Sequence, residues 1–323
     1  MKISHSSSQA LPKRKLWIDA LRGVAMILVV YGHCVHGWKE FFVFTSPVKM
    51  PLFFAISGYL FNPRGGAQQK FYHNIFIKLV VPWLVLGLFP YTNPLDRLFA
   101  LLSGKVLWFM PCLIYAEILW FYSHKYANSR FHIFCTGIIL SAIGLAMHNY
   151  NILRYGMINT AFIVQVFFVL GYFIRLYEDK LGKRWNTWMF IAIIIYFLFV
   201  YMTMYYFPGS SLDVHTNRYY NLPICVVLIF TGITILFTLF RKKELAPQWL
   251  VYIGQNTLII YILHSFCLGG FHRLSILYPP IASIPLPLYG IIDSCIAIIS
   301  CCLLAKVVNK YAPFIVGKKV LTL

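Results

Sequence analysis

The chain has 323 residues, of which 60% are apolar, 18% are aromatic and only 11% are charged. In a soluble domain about a quarter of the residues are charged, so this composition excludes an ordinary soluble protein. The apolar residues form repeated runs of about 18–22, which predicts an all-α polytopic membrane protein. The formal net charge of +19 lies in short segments between these runs, which argues against nucleic acid as a partner.

The apolar runs predict ten transmembrane helices, preceded by a polar and basic segment at residues 1–15. In chain order the predicted spans are 17–38, 47–63, 72–90, 106–122, 131–147, 155–176, 187–207, 221–240, 250–269 and 286–308. The second span opens with Pro47 and Pro51, and the third is interrupted by Lys78 and Pro82. These two are the least regular of the ten.

The basic residues indicate how the spans are oriented. With the N-terminus in the cytosol, 19 of the 28 lysines and arginines fall in segments predicted inside and 7 in segments predicted outside, while Arg22 and Lys78 lie within spans. Cytosolic loops carry an excess of Lys and Arg. The bias therefore predicts ten spans across a lipid bilayer, with the N- and C-termini both cytosolic.

The first stretch, Trp17 to Trp38, carries charged and titratable side chains in an otherwise apolar run. At about 100° per residue, Asp19, Arg22 and His33 share one face of a helix, with Arg22 and His33 roughly 16 Å apart along the axis. A charge at mid-membrane costs from about 2.5 kcal/mol upward, so a helix keeps one only where it faces protein or a watery cavity. This helix is therefore predicted to form one wall of a polar site.

The predicted topology sorts the polar residues of the spans into two depths. Towards the cytosol lie Arg22, Ser57, Gly58, Lys78 and Glu117. Towards the outside lie His33, His36, Asn159, His264 and Asp293. A basic inner cluster and a histidine-rich outer cluster are suited to a site that takes an anionic donor from the cytosol and delivers a group outward.

Five segments resemble motifs of the acyltransferase-3 family of bacterial membrane O-acyltransferases. The first is WIDALRGVAMILVVYGHCVHG, with Arg22 and His33 in the R-x10-H spacing. The others, in family order, are PLFFAISGYLF, LWFMPCLI, FFVLGYFI and IGQNTLIIYILHSF. Within the family the match looks closest to the fucose-4-O-acetylase-like branch. The resemblance implies a transmembrane acyltransferase domain at 16–310, flanked by cytosolic tails at 1–15 and 311–323.

The resemblance also implies an activity. It implies an O-acetyltransferase, multi-pass in the bacterial inner membrane, that moves an acetyl group from cytosolic acetyl-CoA to a hydroxyl of an outward-facing sugar or lipid-linked glycan. The residues implied to bind the donor are Arg22, Lys78, Ser57 and Gly58. The residues implied to be catalytic are His33, His264 and Asp293, with His33 acting as a general base or as an acyl carrier.

The residues are compatible with this chemistry on physical grounds. Coenzyme A carries several phosphate charges, and Arg22, Lys78 and the loop with Arg64 and Lys70 supply cations on the predicted cytosolic side. An extended pantetheine arm is comparable in length to the predicted separation of Arg22 and His33. Imidazole changes its protonation near neutral pH, which suits proton transfer from a hydroxyl.

Each donor residue has a structural alternative. Arg22 could pair with Asp19 at i, i+3, and Lys78 could extend to the interface. Ser57 is more typical of close helix packing than of catalysis, and Gly58 could serve packing or a kink.

The other polar residues have alternatives too. Glu117 could take part in a structural ion pair, and His264 could lie at the interface. Asp293 could orient a histidine or cap a turn. His33 and His264 could contribute to a zinc site, but no third and fourth ligand has visible spacing, so we expect no metal.

A second class of function is compatible with the same pattern. Ten helices with charges at two depths, one of them interrupted by proline, would also suit a transporter or flippase of a small anionic or glycan substrate. No internal repeat relates the two halves of the chain, which counts against that class. Within the enzyme class, the transferred group could be succinyl or another acyl group.

Overall fold

The computed structural model describes residues 14–34, 39–62, 68–88, 93–147, 156–178, 185–209, 211–216, 218–278 and 284–318. Within these ranges the fold is all-α apart from one short β-hairpin, so the predicted fold class is confirmed. His36 and Arg64 lie outside the described residues.

The elements follow one another with short connections. The helices are α1 (Leu16–Tyr31), α2 (Lys39–Leu60), α3 (Gln68–Ile75), α4 (Val81–Leu88), α5 (Pro94–Leu102), α6 (Phe109–Tyr126), α7 (Arg130–Ala146), α8 (Ile158–Ile163), α9 (Gln165–Tyr177), α10 (Trp185–Tyr205), α11 (Leu222–Lys242), α12 (Gln248–Gln255), α13 (Thr257–Leu277) and α14 (Leu286–Tyr311). A π-helical turn at Phe76–Val80 joins α3 to α4, and a 3₁₀ turn at Pro313–Val316 follows α14. Strands β1 (Ser211–Asp213) and β2 (Arg218–Tyr220) pair antiparallel.

Seven helical stretches among the described residues are long and apolar enough to cross a membrane. They correspond to seven of the ten predicted spans, and they run over 40–60, 68–88, 158–177, 186–205, 222–242, 257–274 and 287–311. The other three predicted spans are also helical, as α1, α6 and α7. A multi-pass helical membrane fold is therefore confirmed, whereas ten crossings and two cytosolic ends stay predictions.

The first helix is shorter than the sequence predicted. α1 ends at Tyr31, and the amide of His33 donates to the carbonyl of Val30, a tight i→i−3 bond that closes the last turn. Gly32 favours this ending because glycine is a poor helix former. One continuous helix through to Trp38 is therefore wrong at residues 32–34. His33 lies on a turn beyond α1 and not on the helical stripe of Arg22.

The prolines of the second span lie within the helix and do not begin it. α2 starts at Lys39, and Pro47 and Pro51 are both inside it. Proline is tolerated within a membrane bundle because neighbouring groups satisfy the freed carbonyls. The predicted start at Pro47 was therefore wrong.

Lys78 and Pro82 mark a π-helical turn, and the third span is not broken there. The ring of a helical proline clashes with the carbonyl four residues earlier, which here belongs to Lys78. The wider π turn at Phe76–Val80 relieves that clash and keeps residues 68–88 helical throughout. Single π turns are frequent at functional sites.

The ninth predicted span is divided at a buried asparagine. Asn256 separates α12 from α13 with φ −116°. Its side-chain amide donates to the Tyr252 carbonyl, and its amide oxygen accepts from Asn309 on α14. Asparagine disfavours helix interiors because its side chain competes for backbone hydrogen bonds. A single helix over 250–269 was therefore wrong.

α1 lies at the centre of the bundle, in contact with α2, α11, α12, α13 and α14. The contact between α1 and α12 is backbone to backbone, because a Cβ at Gly23 or Gly254 would overlap the carbonyl of Leu250 or Asp19. Residues of α1 belong to both buried apolar clusters of the protein. The orientation of α1 therefore determines where its polar side chains lie within the core.

The predicted orientation is tested with reporters. We expect alkaline phosphatase inserted at the β1–β2 hairpin to be active outside the cell, and green fluorescent protein inserted after Lys243 to fluoresce in the cytosol, because the basic end of α11 stays inside. Reporters in the connection at residues 127–129, also predicted cytosolic, are the control. Phosphatase activity at 127–129 or after Lys243, without activity at the hairpin, would reverse the orientation of every site residue.

Candidate active site

One cavity of about 210 Å³ lies between α1, α2, α6, α13 and the π-helical turn. Its polar lining consists of Arg22, Ser57, Lys78, Glu117 and Thr257. Its apolar lining continues along the same helices through Met26, Val29, Met50, Phe109 and Tyr261. The cavity thus has a polar end, at Arg22, and an apolar end, at Tyr261. Val29 follows Arg22 by seven residues, so the cavity extends roughly 10 Å along α1.

Asp19 pairs most closely with Arg14 and forms a longer ion pair with Arg22, as the structural alternative for Arg22 predicted. The Nε and Nη2 atoms of Arg14 donate to the two Asp19 carboxylate oxygens at 2.6 and 3.0 Å. Gln255 Nε2 donates to the same carboxylate at 3.3 Å. Nη1 of Arg22 lies 3.9 Å from Asp19 Oδ1, which is too long for a hydrogen bond. Asp19 therefore leaves the donors of the Arg22 guanidinium available to the cavity.

Glu117 places one negative charge at the polar end. It interacts electrostatically with both Arg22 and Lys78, which line the same cavity. Two cations and one carboxylate leave this end with a positive balance, which favours an anionic ligand. Glu117 thus lies among the two cations that were predicted to bind the donor, and its structural pairing stays an alternative.

The three residues of the S-G-Y motif have different surroundings. Ser57 lines the cavity. Gly58 faces α9, where an added Cβ would overlap the Phe168 carbonyl oxygen. The Tyr59 hydroxyl donates to Glu178 at 2.6 Å. Of the four predicted donor residues, the structure therefore brings together Arg22, Lys78 and Ser57, while the contacts of Gly58 favour its packing alternative.

His33 and His264 lie side by side although they are far apart in the chain. Their ring centroids are 5.0 Å apart. His33 is exposed, whereas His264 is 3% exposed. The ring of Tyr261, which lines the apolar end of the cavity, lies 6.0 Å from that of His264. The histidine pair therefore borders the apolar end of the cavity.

The hydrogen bonds of His264 define which ring nitrogen carries the proton in the neutral form. Nδ1 lies 2.7 Å from the Tyr261 carbonyl and 3.2 Å from the Ile260 carbonyl. A carbonyl oxygen only accepts, so Nδ1 donates and the lone pair is on Nε2. Nε2 is 3.4 Å from the Ser265 hydroxyl. This tautomer is the one in which Nε2 could accept a proton.

Asp293 lies beside the turn that carries His33. It is 1% exposed on α14, and its carboxylate interacts electrostatically with the thiol of Cys34. The same thiol lies 3.0 Å from the Ser294 hydroxyl. The structure thus places Asp293 next to the residue that follows His33, in a position to support the turn.

Sequence reasoning missed two side chains near His33. Lys49 of α2 and His215 of the hairpin connection both act electrostatically on His33. The His215 ring stacks on Trp108 with centroids 5.2 Å apart, and its Nε2 lies 3.3 Å from the Gly104 carbonyl. Trp108 belongs to the LWFM segment at residues 107–110. That motif was the only feature of the sequence that drew attention to the site of the His215–Trp108 contact.

The backbone before Trp108 is strained. Leu107 has φ 50°, in the left-handed region that leucine rarely adopts. Two residues later, the backbone amide of Phe109 donates to the Tyr261 hydroxyl at 3.2 Å. The strained turn thereby ties the start of α6 to α13 at the apolar end of the cavity. Strain of this kind clusters at functional sites.

No group of three or more His, Cys, Asp or Glu side chains that could hold a metal ion occurs within the described ranges. The two histidines therefore have no further described ligand of the kind that a zinc site requires. The candidate site consists of cations at one end of the cavity and, beside Tyr261 at its other end, the two imidazoles.

Apolar helices around an internal cavity of this kind define a polytopic membrane protein with a cavity inside its helical bundle. Residues 15–306 match the family model described as an acyltransferase domain, Acyl_transf_3. The chain therefore belongs to the acyltransferase-3 family.

The chain is also similar to a protein that is named as a racemase. A serine/alanine racemase of Enterococcus gallinarum is 25% identical over 304 residues, covering 80% of this chain and 41% of that protein. The chain thus spans about two fifths of the length of the relative. No solved structure matches the chain.

The placement of Gly58 generates a prediction. In Gly58→Ala the new Cβ would overlap the Phe168 carbonyl, so α2 and α9 must separate, and we expect a loss of about 1–3 kcal/mol of stability. The melting temperature in detergent should fall.

The matched control is Gly269→Ala, because a Cβ there meets nothing within 4 Å. A Gly58→Ala protein that melts like the wild type but no longer binds acetyl-CoA would contradict the packing role and place Gly58 in the donor site.

Proposed function

We propose that this membrane acyltransferase transfers an acetyl group from cytosolic acetyl-CoA to a hydroxyl of an outward-facing sugar or lipid-linked glycan, in a bacterial inner membrane. The observation that carries the proposal is a cavity with Arg22 at its polar end and Tyr261 at its apolar end, where the Tyr261 ring lies beside one member of the histidine pair. The family supports acyl transfer, and the chemistry of the two ends supports this choice of donor and acceptor.

The polar end suits the phosphates of coenzyme A. Arg22 offers a planar guanidinium that can bind a phosphate through two hydrogen bonds, and Lys78 adds a point charge. Ser57 and Thr257 add hydroxyl groups to the same end. An acyl thioester entering past these residues would reach the apolar end, where Tyr261 contacts His264.

The histidine pair suits proton transfer from the acceptor. In the proposed reaction the hydroxyl oxygen attacks the thioester carbonyl carbon, and its proton passes to an imidazole nitrogen at His33 or His264. The C–O bond forms, the C–S bond breaks, and coenzyme A leaves as the thiol after taking that proton. Asp293 has a positioning role, through Cys34, at the turn that bears His33.

The lining of the cavity favours this enzyme over the alternative, a transporter or flippase of a polar substrate. Between the polar end and the histidines the walls are Met26, Val29, Phe53 and Phe109. A glycan moving past these side chains would lose its hydration without gaining hydrogen bonds, which costs several kcal/mol. A thioester arm has fewer polar groups to desolvate. A transporter would move substrate in vesicles without forming any acetylated product.

The donor role of Arg22 gives the first test. Arg22→Ala should weaken acetyl-CoA binding by about 1.5–3 kcal/mol, as expected for a lost charge-assisted contact, and Arg22→Lys should recover only part of it. Binding is measured on the purified protein in nanodiscs. The control is Arg130→Ala, which removes an equal charge from an exposed site at the start of α7. Wild-type affinity in Arg22→Ala would remove Arg22 from the donor site.

The role of the histidine pair gives the second test. His33→Ala and His264→Ala should each insert normally, bind acetyl-CoA and lose about 10²–10⁴-fold of acetyl transfer, the usual contribution of general acid–base catalysis. Transfer is measured as labelled acetate in cell-surface glycan after supplying labelled acetyl-CoA to inside-out vesicles.

The control for the histidines is His132→Ala, an exposed histidine on α7. Normal O-acetylation by a well-expressed His33→Ala protein would contradict the proposed mechanism.

A further inference from the structure

Lys318 is held in place by two side-chain amides. Its Nζ donates to Asn256 Oδ1 at 3.2 Å and to Asn309 Oδ1 at 2.8 Å. Asn309 Nδ2 also donates to Asn256 Oδ1 at 2.7 Å, which fixes both amides. Amide oxygens orient an ammonium group without cancelling its charge. Within the part of the chain that the structure describes, no carboxylate forms an ion pair with Lys318.

Two contacts place the segment that carries Lys318 beside the polar end of the cavity. Asn256 immediately precedes Thr257, a lining residue. Gly317, which precedes Lys318, lies against the π-helical turn, where an added Cβ would come within 3.0 Å of the Lys78 Cα and 2.9 Å of the Ile77 carbonyl oxygen. The close approach is possible because glycine lacks a Cβ. For the same reason Gly317 can adopt its φ of 67°, which side chains rarely allow. The segment after α14 therefore contacts two walls of the cavity.

The surroundings of Lys318 are cationic. Burial and the nearby Arg14 guanidinium both lower the pKa of Lys318. Arg14, Arg22, Lys78 and Lys318 together bring four positive charges to this region, against the carboxylates of Asp19 and Glu117. Like charges held close together repel one another unless an anion binds between them. This arrangement suits a ligand with several negative charges.

We propose that Lys318 binds a phosphate of the donor nucleotide, so that a segment outside the family match completes the donor site. The match ends at residue 306, and the ligand class is the phosphorylated nucleotide part of coenzyme A. The inference rests on the proposed function, because it takes acetyl-CoA as the donor. It differs from a purely structural tether, in which Lys318 would only fasten the segment to α13 and α14.

The two roles are separated by comparing donors with and without the nucleotide. Acetyl-CoA carries the phosphates, and S-acetylpantetheine keeps the thioester arm but lacks them. If Lys318 binds phosphate, Lys318→Gln weakens acetyl-CoA binding about tenfold, leaves S-acetylpantetheine binding unchanged, and Lys318→Arg restores most of the affinity. If Lys318 is only a tether, the substitution changes both affinities by the same factor, or neither.

The matched control is Lys310→Gln on α14. Lys310 carries the same charge, lies in the last turn of that helix, and its Nζ contacts the Tyr311 ring at 5.0 Å. Its removal tests for a general effect of net charge, and we expect no change in either affinity.

A measurement on the wild-type protein covers the case in which Lys318→Gln fails to fold. Bound acetyl-CoA should protect Lys318, but not Lys310, from labelling by an amine-reactive acetylating reagent, as read by mass spectrometry. S-Acetylpantetheine should give no protection. Equal labelling of Lys318 with and without acetyl-CoA would overturn the inference.

The failures of the two proposals are distinguishable. A wild-type protein that binds neither acetyl-CoA nor S-acetylpantetheine overturns the proposed function, and the inference with it. A wild-type protein that binds acetyl-CoA, with the same affinity in Lys318→Gln, overturns the role of Lys318 alone.

Discussion

The burial of one carboxylate determines how the centre of the bundle is arranged. Asp19 is 3% exposed on α1, and an unpaired charge in such surroundings costs several kcal/mol. Arg14 and Gln255 satisfy it. Gln255 lies at the end of α12, so this network joins α12 to α1 at the point where Gly254 permits backbone contact. Because Arg14 and Gln255 supply the hydrogen bonds to Asp19, Arg22 is held only by a longer ion pair to this carboxylate and also lines the cavity.

The side chains of α1 and α13 that face the cavity follow the same spacing along their helices. Arg22, Met26 and Val29 advance along α1 by four and then three residues, and Thr257, Tyr261 and His264 advance along α13 by the same steps. Side chains at these spacings share one helical face. The two helices therefore place the Arg22 guanidinium and the Thr257 hydroxyl at the polar end of the cavity. Further along, both faces lead towards the histidine pair. The break at Asn256 lets α13 begin this face independently of α12.

The sequence predicted the parts of the fold and site that depend on local patterns. Hydropathy located ten helical stretches, and the charges within them identified Arg22 and Lys78, which share one cavity. Prediction from the sequence misplaced the features that depend on tertiary contacts or on local backbone geometry. The end of α1 at Gly32 and the π turn before Pro82 are set by backbone hydrogen bonds that periodicity does not report. The amide pair of Asn256 and Asn309 joins residues 53 positions apart, and a single sequence has no signal for such a pair.

The unequal exposure of the two histidines gives the proposed reaction a direction. His264 is buried, and its Nδ1 is engaged by two carbonyls, so its ring is fixed with Nε2 as the acceptor. His33 is exposed on a turn, next to Cys34, whose thiol contacts Ser294 on α14. A thioester arriving along the cavity meets Tyr261 and His264 first, whereas a hydroxyl arriving from water meets His33 first. The acyl donor and the acceptor then approach the imidazole pair from opposite sides. Only the thioester arm of the donor then passes along the apolar lining, and the bundle needs no pathway wide enough for a glycan.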